Sequence, residues 1–150
     1  MKHVRKSVLL WYSPREMYDL VTDVQAYPQF LPWCSRAEVV ELHDDGVTAR
    51  LSLAYMGVQH AFTTRNVHRA GQSVAVQLVD GPFSRLEGNW IFHPLGRPGS
   101  DQAACKIEFD LAYAFSSVAL EAVVSPVFDR VANTLVDSFV RRAEAVYGQR

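Results

Sequence analysis

Apolar and polar residues alternate along the chain with two different periods, and the switch between them sets the architecture. Lys2 to Trp11 reads as a strand. Ser13-Pro14-Arg15-Glu16 then opens a helix, with Ser13 as the N-cap, Pro14 at the first helical position and Glu16 completing a capping box. Met17, Leu20, Val21 and Val24 follow at helical spacing. Tyr27 to Trp33 is a short aromatic piece that Pro28 and Pro32 limit to about one turn. From Ala37 the period becomes two, and strands are predicted near 37–43, 47–56, 58–67, 74–80, 86–93 and 103–115.

The alternation is clearest in Val47, Ala49, Leu51, Leu53 and Tyr55, and again in Cys105, Ile107, Phe109, Leu111 and Tyr113. Charged and polar residues stand between them, so one face of the sheet is wet and the other dry. Asp44-Asp45-Gly46 is a hairpin signal, and Met56-Gly57 and Ala70-Gly71-Gln72 punctuate the next boundaries. Pro94 to Asp101 reads as a long strand-to-strand connection. Helical spacing returns in Leu120, Val123, Val124, Val127, Val131, Leu135, Val136, Phe139, Ala143 and Val146. Pro126 either kinks this helix or starts its long segment, and Gly148 is its C-cap candidate. From Pro126 to Tyr147 the helix would run 22 residues, about 33 Å.

Consecutive strands joined by short turns make an antiparallel sheet, and its dry face needs a cover that only the last helix is long enough to supply. The predicted fold is therefore α+β, in one domain over 1–150: a curved antiparallel sheet of six to seven strands around a long C-terminal helix. A sheet curled around one helix leaves space that side chains need not fill, and a cavity is expected there.

Composition narrows the function classes. The chain has 150 residues, 49% hydrophobic, and a formal net charge of −1, which excludes a disordered chain and a globally basic nucleic-acid binder, DNA included. No apolar run reaches the roughly 18 residues of a membrane span. Trp11 to Glu16 interrupts the short apolar stretch near the start, so no signal-peptide core is present and a cytoplasmic location is expected. Cys34 and Cys105 lack metal-ligand spacing and read as free, buried thiols.

Candidate chemistry is sparse. His3, His43, His60, His68 and His93 form no metal-ligand pattern, and His43 and His68 sit at strand ends where a solvated ring is expected. His60 shares strand parity with Phe62 and Thr64 and is the one histidine placed to offer a polar group to a pocket. No nucleophile elbow or phosphate loop occurs, so the expectation is a binding protein and not an enzyme. A cyclase-like reaction would have to use His60 with Tyr55 or Arg50, of which only one faces inward. Two basic groups, Lys2/Arg5/Lys6 and Arg65/His68/Arg69, leave a local contact with RNA or acidic lipid at a membrane surface open.

Two segments are dense in aromatics, Gly and Pro: Tyr27-Pro-Gln-Phe-Leu-Pro-Trp-Cys34, and Asp80-Gly-Pro-Phe-Ser-Arg-Leu-Glu-Gly-Asn-Trp90. The first reads either as a plug or as a gate over the cavity. In the second, Phe83 is expected at an exposed loop tip, and Gly88 within a strand marks a bulge or a close approach. Pocket walls are expected from Leu51, Leu53, Phe62, Leu86, Trp90, Phe109, Val127, Val131 and Leu135, with Tyr27, Phe30 and Trp33 at the mouth.

These two strings, with Gly57, Phe62-Thr63, Phe92, Phe139, Arg142-Ala143 and Tyr147-Gly148, give nearly the whole chain a resemblance, the stretch from Gly96 to Gln102 matching poorly. It resembles the coenzyme Q-binding, START-like family, a branch of the polyketide cyclase/dehydrase and lipid-transport superfamily. The resemblance implies a helix-grip (START/Bet v 1-like) fold with a hydrophobic tunnel between sheet and helix. It implies ubiquinone or a similar isoprenoid lipid as bound ligand, no required cofactor, and a role in respiration. Some bacterial members are named as toxins of ribosome association, which implies the large ribosomal subunit as the alternative partner.

Overall fold

The computed structural model describes residues 1–96 and 103–150; most of the connection expected between Pro94 and Asp101 lies outside the described residues. Seven strands form one antiparallel sheet: β1 (Lys2–Leu10), β2 (Cys34–His43), β3 (Gly46–Tyr55), β4 (Val58–Arg69), β5 (Ser73–Asp80), β6 (Phe83–Pro94) and β7 (Cys105–Phe115). Their order is β1-β7-β6-β5-β4-β3-β2, so the six later strands form a meander and β1 returns to pair with β7. Helix α1 (Pro14–Thr22) and a 3-10 turn (Val24–Gln29) join β1 to β2, and helix α2 (Val118–Tyr147) closes the fold.

The local rules work as the sequence implies. Glu16 N–H donates to the Ser13 hydroxyl, and Ser13 N–H donates back to the Glu16 carboxylate, which completes the capping box. Between β2 and β3 the hairpin takes Asp44 and Asp45 as its loop, with Gly46 at φ +154° where any Cβ would collide with the Asn66 carbonyl.

Three expectations change. Helix α2 begins at Val118, runs 30 residues through Pro126 and so reaches about 45 Å. The bond lost at Pro126 is offset by burial on both sides of it, at Val124, Val127 and Phe128. Secondly, Val123 and Val146 are half exposed, while Phe128 and Ala132 are buried, so the stripe is rotated and widened. A concave sheet wraps more of a helix than a flat one covers. Thirdly, Phe83 is 5% exposed and is the first residue of β6, opposite Phe115. A register shift between Phe83 and Arg85 lets Phe83 and Leu86 both face inward, which strict alternation forbids.

The core is the concave face of the sheet against α2. At the N-terminal half of α2 it is solid: Phe128 sits 4.8 Å, ring to ring, from both Phe83 and Tyr113 and also touches Phe62 and Phe115. Beside it Asp129 accepts hydrogen bonds from Lys2, Ser125 and Tyr113, which ties α2 to β1 and β7.

Candidate functional site

Between the sheet and the middle of α2 lies a cavity of about 100 Å³. It exists because small or short residues meet there. Thr64 and Asn66 project from β4, Val76 from β5, Gly88 from β6 and Ala132 from α2. Gly88 has no spare room for a side chain: a Cβ would stand 3.0 Å from the Asp110 carbonyl oxygen and 3.1 Å from Leu111 Cδ1. Larger residues complete the wall. The Trp90 ring lies tilted at 4.4 Å from Phe109 and edge-on at 5.2 Å from Phe139, which fixes all three.

The aromatic segment before β2 closes one side. Tyr27 lies edge-on to Phe139 at 5.5 Å and its hydroxyl donates to the Val21 carbonyl. Burial pushes its phenol well above the usual range, so it stays a neutral donor. Leu31 N–H donates to Tyr27 O at 2.9 Å, and Ala54 N–H donates to Trp33 O at 2.8 Å. The segment is thereby sewn to β3, and the Trp33 ring is held in the wall at 5% exposure. Its Nε1–H is buried and meets no acceptor among the described residues.

Besides the Tyr27 phenol and the Trp33 indole, the polar side chains of the wall are on β4. Thr64 and Asn66 are two apart on β4 and so share a face; they are 4% and 9% exposed. Thr64 Oγ1–H donates to Asn66 Oδ1 at 2.8 Å. That bond orients the amide and leaves its nitrogen as the free end.

The sequence-derived candidates divide as follows. Tyr27, Trp33, Leu51, Phe62, Leu86, Trp90, Phe109, Val131 and Leu135 line the cavity. Phe30, Leu53, His60 and Val127 do not. Phe30 packs 5.2 Å from Phe139 with the Arg142 guanidinium over its other side, outside the cavity. Leu53 and His60 pair with one another across β3 and β4, two residues further along than Leu51 and Phe62, and this carries both past the cavity's end. Val127 is buried one turn before Val131. Thr64, Asn66, Val76 and Phe128 were not singled out from the sequence as wall residues, although the parity of Phe62 places Thr64 and Asn66 on the inner face.

His68 departs from the solvated ring expected of it. It is edge-on to Tyr18 at 6.1 Å with Nε2 buried, and burial followed by the charge of Arg65 lowers its pKa. His43 Nε2 lies 2.9 Å from Thr48 Oγ1. Burial pushes the Cys34 and Cys105 thiols up to about 11, so both are unreactive near neutral pH. Half of the six residues in the two basic groups are paired: Lys2 with Asp129, Arg5 with Asp110 and Arg65 with Asp45. No group of His, Cys, Asp and Glu among the described residues is placed to hold a metal ion, and no helix among them is long and apolar enough to cross a membrane.

A seven-stranded antiparallel sheet gripping one long helix over an apolar cavity is a helix-grip domain. Residues 10–140 match the family model described as polyketide cyclase/dehydrase and lipid transport, and the chain belongs to that family. It is 42% identical, over 97% of its length and 98% of the relative's, to the ribosome association toxin RatA of Pseudomonas aeruginosa. It is 30% identical, over 97% of its length and 59% of the relative's, to the mitochondrial coenzyme Q-binding protein COQ10 homolog B of Xenopus laevis. Among solved structures, the 18 kDa protein CC1736 of Caulobacter crescentus superposes with a TM-score of 0.73 at 32% identity, covering 99% of both chains.

Proposed function

We propose that this protein is a non-enzymatic, cytoplasmic binding protein that takes the ring of a ubiquinone-type isoprenoid lipid into its cavity, in support of respiration. The cavity carries this reading. Its wall is aromatic and aliphatic, and burial of such a ring against it contributes about 25 cal/mol per Å². Its polar side chains are Thr64, Asn66, Trp33 and Tyr27, the last with its hydroxyl donated to the Val21 carbonyl, and they offer neutral hydrogen bonds and no acid–base pair. The volume also shapes the reading. At about 100 Å³ it is below the ~300–1,000 Å³ of pockets that enclose whole drug-sized ligands. It suits a ring-sized group, and a long isoprenoid tail would leave through the mouth instead of lying in an enclosed tunnel. The name of the Xenopus laevis relative supports the quinone.

Organic extraction of the purified protein followed by mass spectrometry tests this. Recovery of a quinone from the wild type, and its loss when Ala132→Leu fills the cavity, is the expected result. A wild-type protein that yields no quinone and binds none in titration rejects it.

A second reading is association with the large ribosomal subunit, supported by the name carried by relatives about 40% identical over nearly the whole chain. It predicts that over-expression lowers the level of joined ribosomes on a sucrose gradient, and that reversing Lys6 and Arg69 abolishes the effect. Unchanged gradients reject it.

A further inference from the structure

The wall of the cavity holds donors that meet no acceptor among the described residues. Thr64 gives its only proton to Asn66 Oδ1 at 2.8 Å. The amide is therefore turned with its NH₂ away from Thr64, and that group donates to no acceptor among the described residues. Trp33 enters from a different element, the segment before β2, and its buried Nε1–H is likewise without an acceptor. A buried N–H left unpaired carries its desolvation penalty with nothing to offset it. The Trp33 N–H is buried outright, and the Asn66 amide belongs to a residue 9% exposed; both lie in the wall of one cavity, where a guest can meet them.

The chemistry of that guest follows from the inventory. Both free groups are donors, so the guest must bring acceptors. Neither donor is charged, so the acceptor that fits is a neutral oxygen and not a carboxylate or phosphate, whose desolvation in an apolar cavity has no cation to offset it. Rings crowd the rest of the wall, with Trp90 against both Phe109 and Phe139. We propose that Asn66, oriented by Thr64, and Trp33 form a neutral donor pair that selects ligands bearing carbonyl oxygens on a flat apolar ring. This rests on the binding-protein reading and adds the specificity: the ring is held by burial, and the carbonyl decides which rings are held. Thr64 acts through Asn66 and is a positioning residue.

Isothermal titration of the full chain with two probes tests it: a short-tailed alkyl-benzoquinone and the alkylbenzene with the same tail. Wild type is expected to favour the quinone. Asn66→Leu removes the amide at similar volume and is expected to weaken the quinone about ten- to a hundredfold while leaving the alkylbenzene unchanged or tighter. Trp33→Phe keeps a ring in the wall, removes the donor and is expected to weaken the quinone severalfold with the same selectivity. If Asn66→Leu does not fold, the quinone-to-alkylbenzene ratio in Trp33→Phe decides alone. A ratio within twofold of wild type in every folded variant overturns the donor pair while the binding reading stands, as does equal affinity of wild type for both probes. A wild type that binds neither probe overturns both.

Discussion

Two stretches of the same helix, packed on the same sheet, are built in opposite ways. Around Phe128 the interface is filled by five aromatic rings and anchored by the Lys2–Asp129–Tyr113 network. About one turn further along, around Ala132, it meets Thr64, Asn66, Val76 and Gly88, and space remains. Backbone geometry does not explain the difference, because both stretches belong to continuous elements. Side-chain choice does. An unfilled core costs stability in proportion to its volume. The filled end supplies the stability against which the hollow middle is maintained.

The largest expected effect comes from breaking the filled end. Phe128→Ala should cost about 3–5 kcal/mol, read as a lowered urea midpoint, because four neighbouring rings lose their shared partner. Filling the hollow end is the converse: Ala132→Leu should change stability by no more than about 1–3 kcal/mol yet lower ligand affinity at least tenfold in titration. If Ala132→Leu destabilised as much as Phe128→Ala, the middle would be packed core and the contrast would fail. Thr64→Val should cost about 1–2 kcal/mol in thermal unfolding, because Asn66 Oδ1 loses its donor.

The smallest effect is at Asp129. Burial alone would raise its carboxyl, but hydrogen bonds from Lys2, Tyr113 and Ser125 hold it below the ordinary range. A carboxyl lowered in the folded state stabilises above its unfolded pKa and loses that contribution as pH falls through the folded value. Stability should therefore decline as pH drops below about 4, and Asp129→Asn should remove part of that decline. The Lys2 and Asp129 side chains are 40% and 34% exposed, so screening holds the contribution near neutral pH to about 1 kcal/mol, measured from unfolding curves at two pH values.

The filled and hollow regions were not equally legible in the sequence. Alternation and turn residues disclosed the seven strands, and the capping box at Ser13 disclosed α1. The rings of Trp90, Phe109 and Phe139 stood out by type and parity. Phe128 did not, because it flanks the narrow stripe that a flat partner would bury, and only the curvature of the sheet brings it inside. Phe83 was hidden by the bulge that follows it, since one shifted residue reverses the inside-outside reckoning. Thr64 and Asn66 were hidden for a chemical reason: polar residues in a half-wet sheet are read as facing water, and their parity with Phe62 was the signal against that. His60 shows the limit of parity. It lies on the correct face, but facing inward does not say how far along the strand the cavity extends.

The cavity's far wall is α2, and α2 follows every strand in the chain. A chain made from its N-terminus therefore completes its sheet, with the apolar concave face open, before its cover exists. The contacts that close the fold join distant parts of the chain: Tyr12 donates to the Gly148 carbonyl, Tyr147 to the Glu16 carbonyl, and Arg150 pairs with Glu16. Such long-range closure is slow relative to local pairing. During that interval the apolar concave face that will wall the cavity is exposed to water. Docking of the last helix is therefore the step that withdraws this face from water and turns an open sheet into a closed cavity.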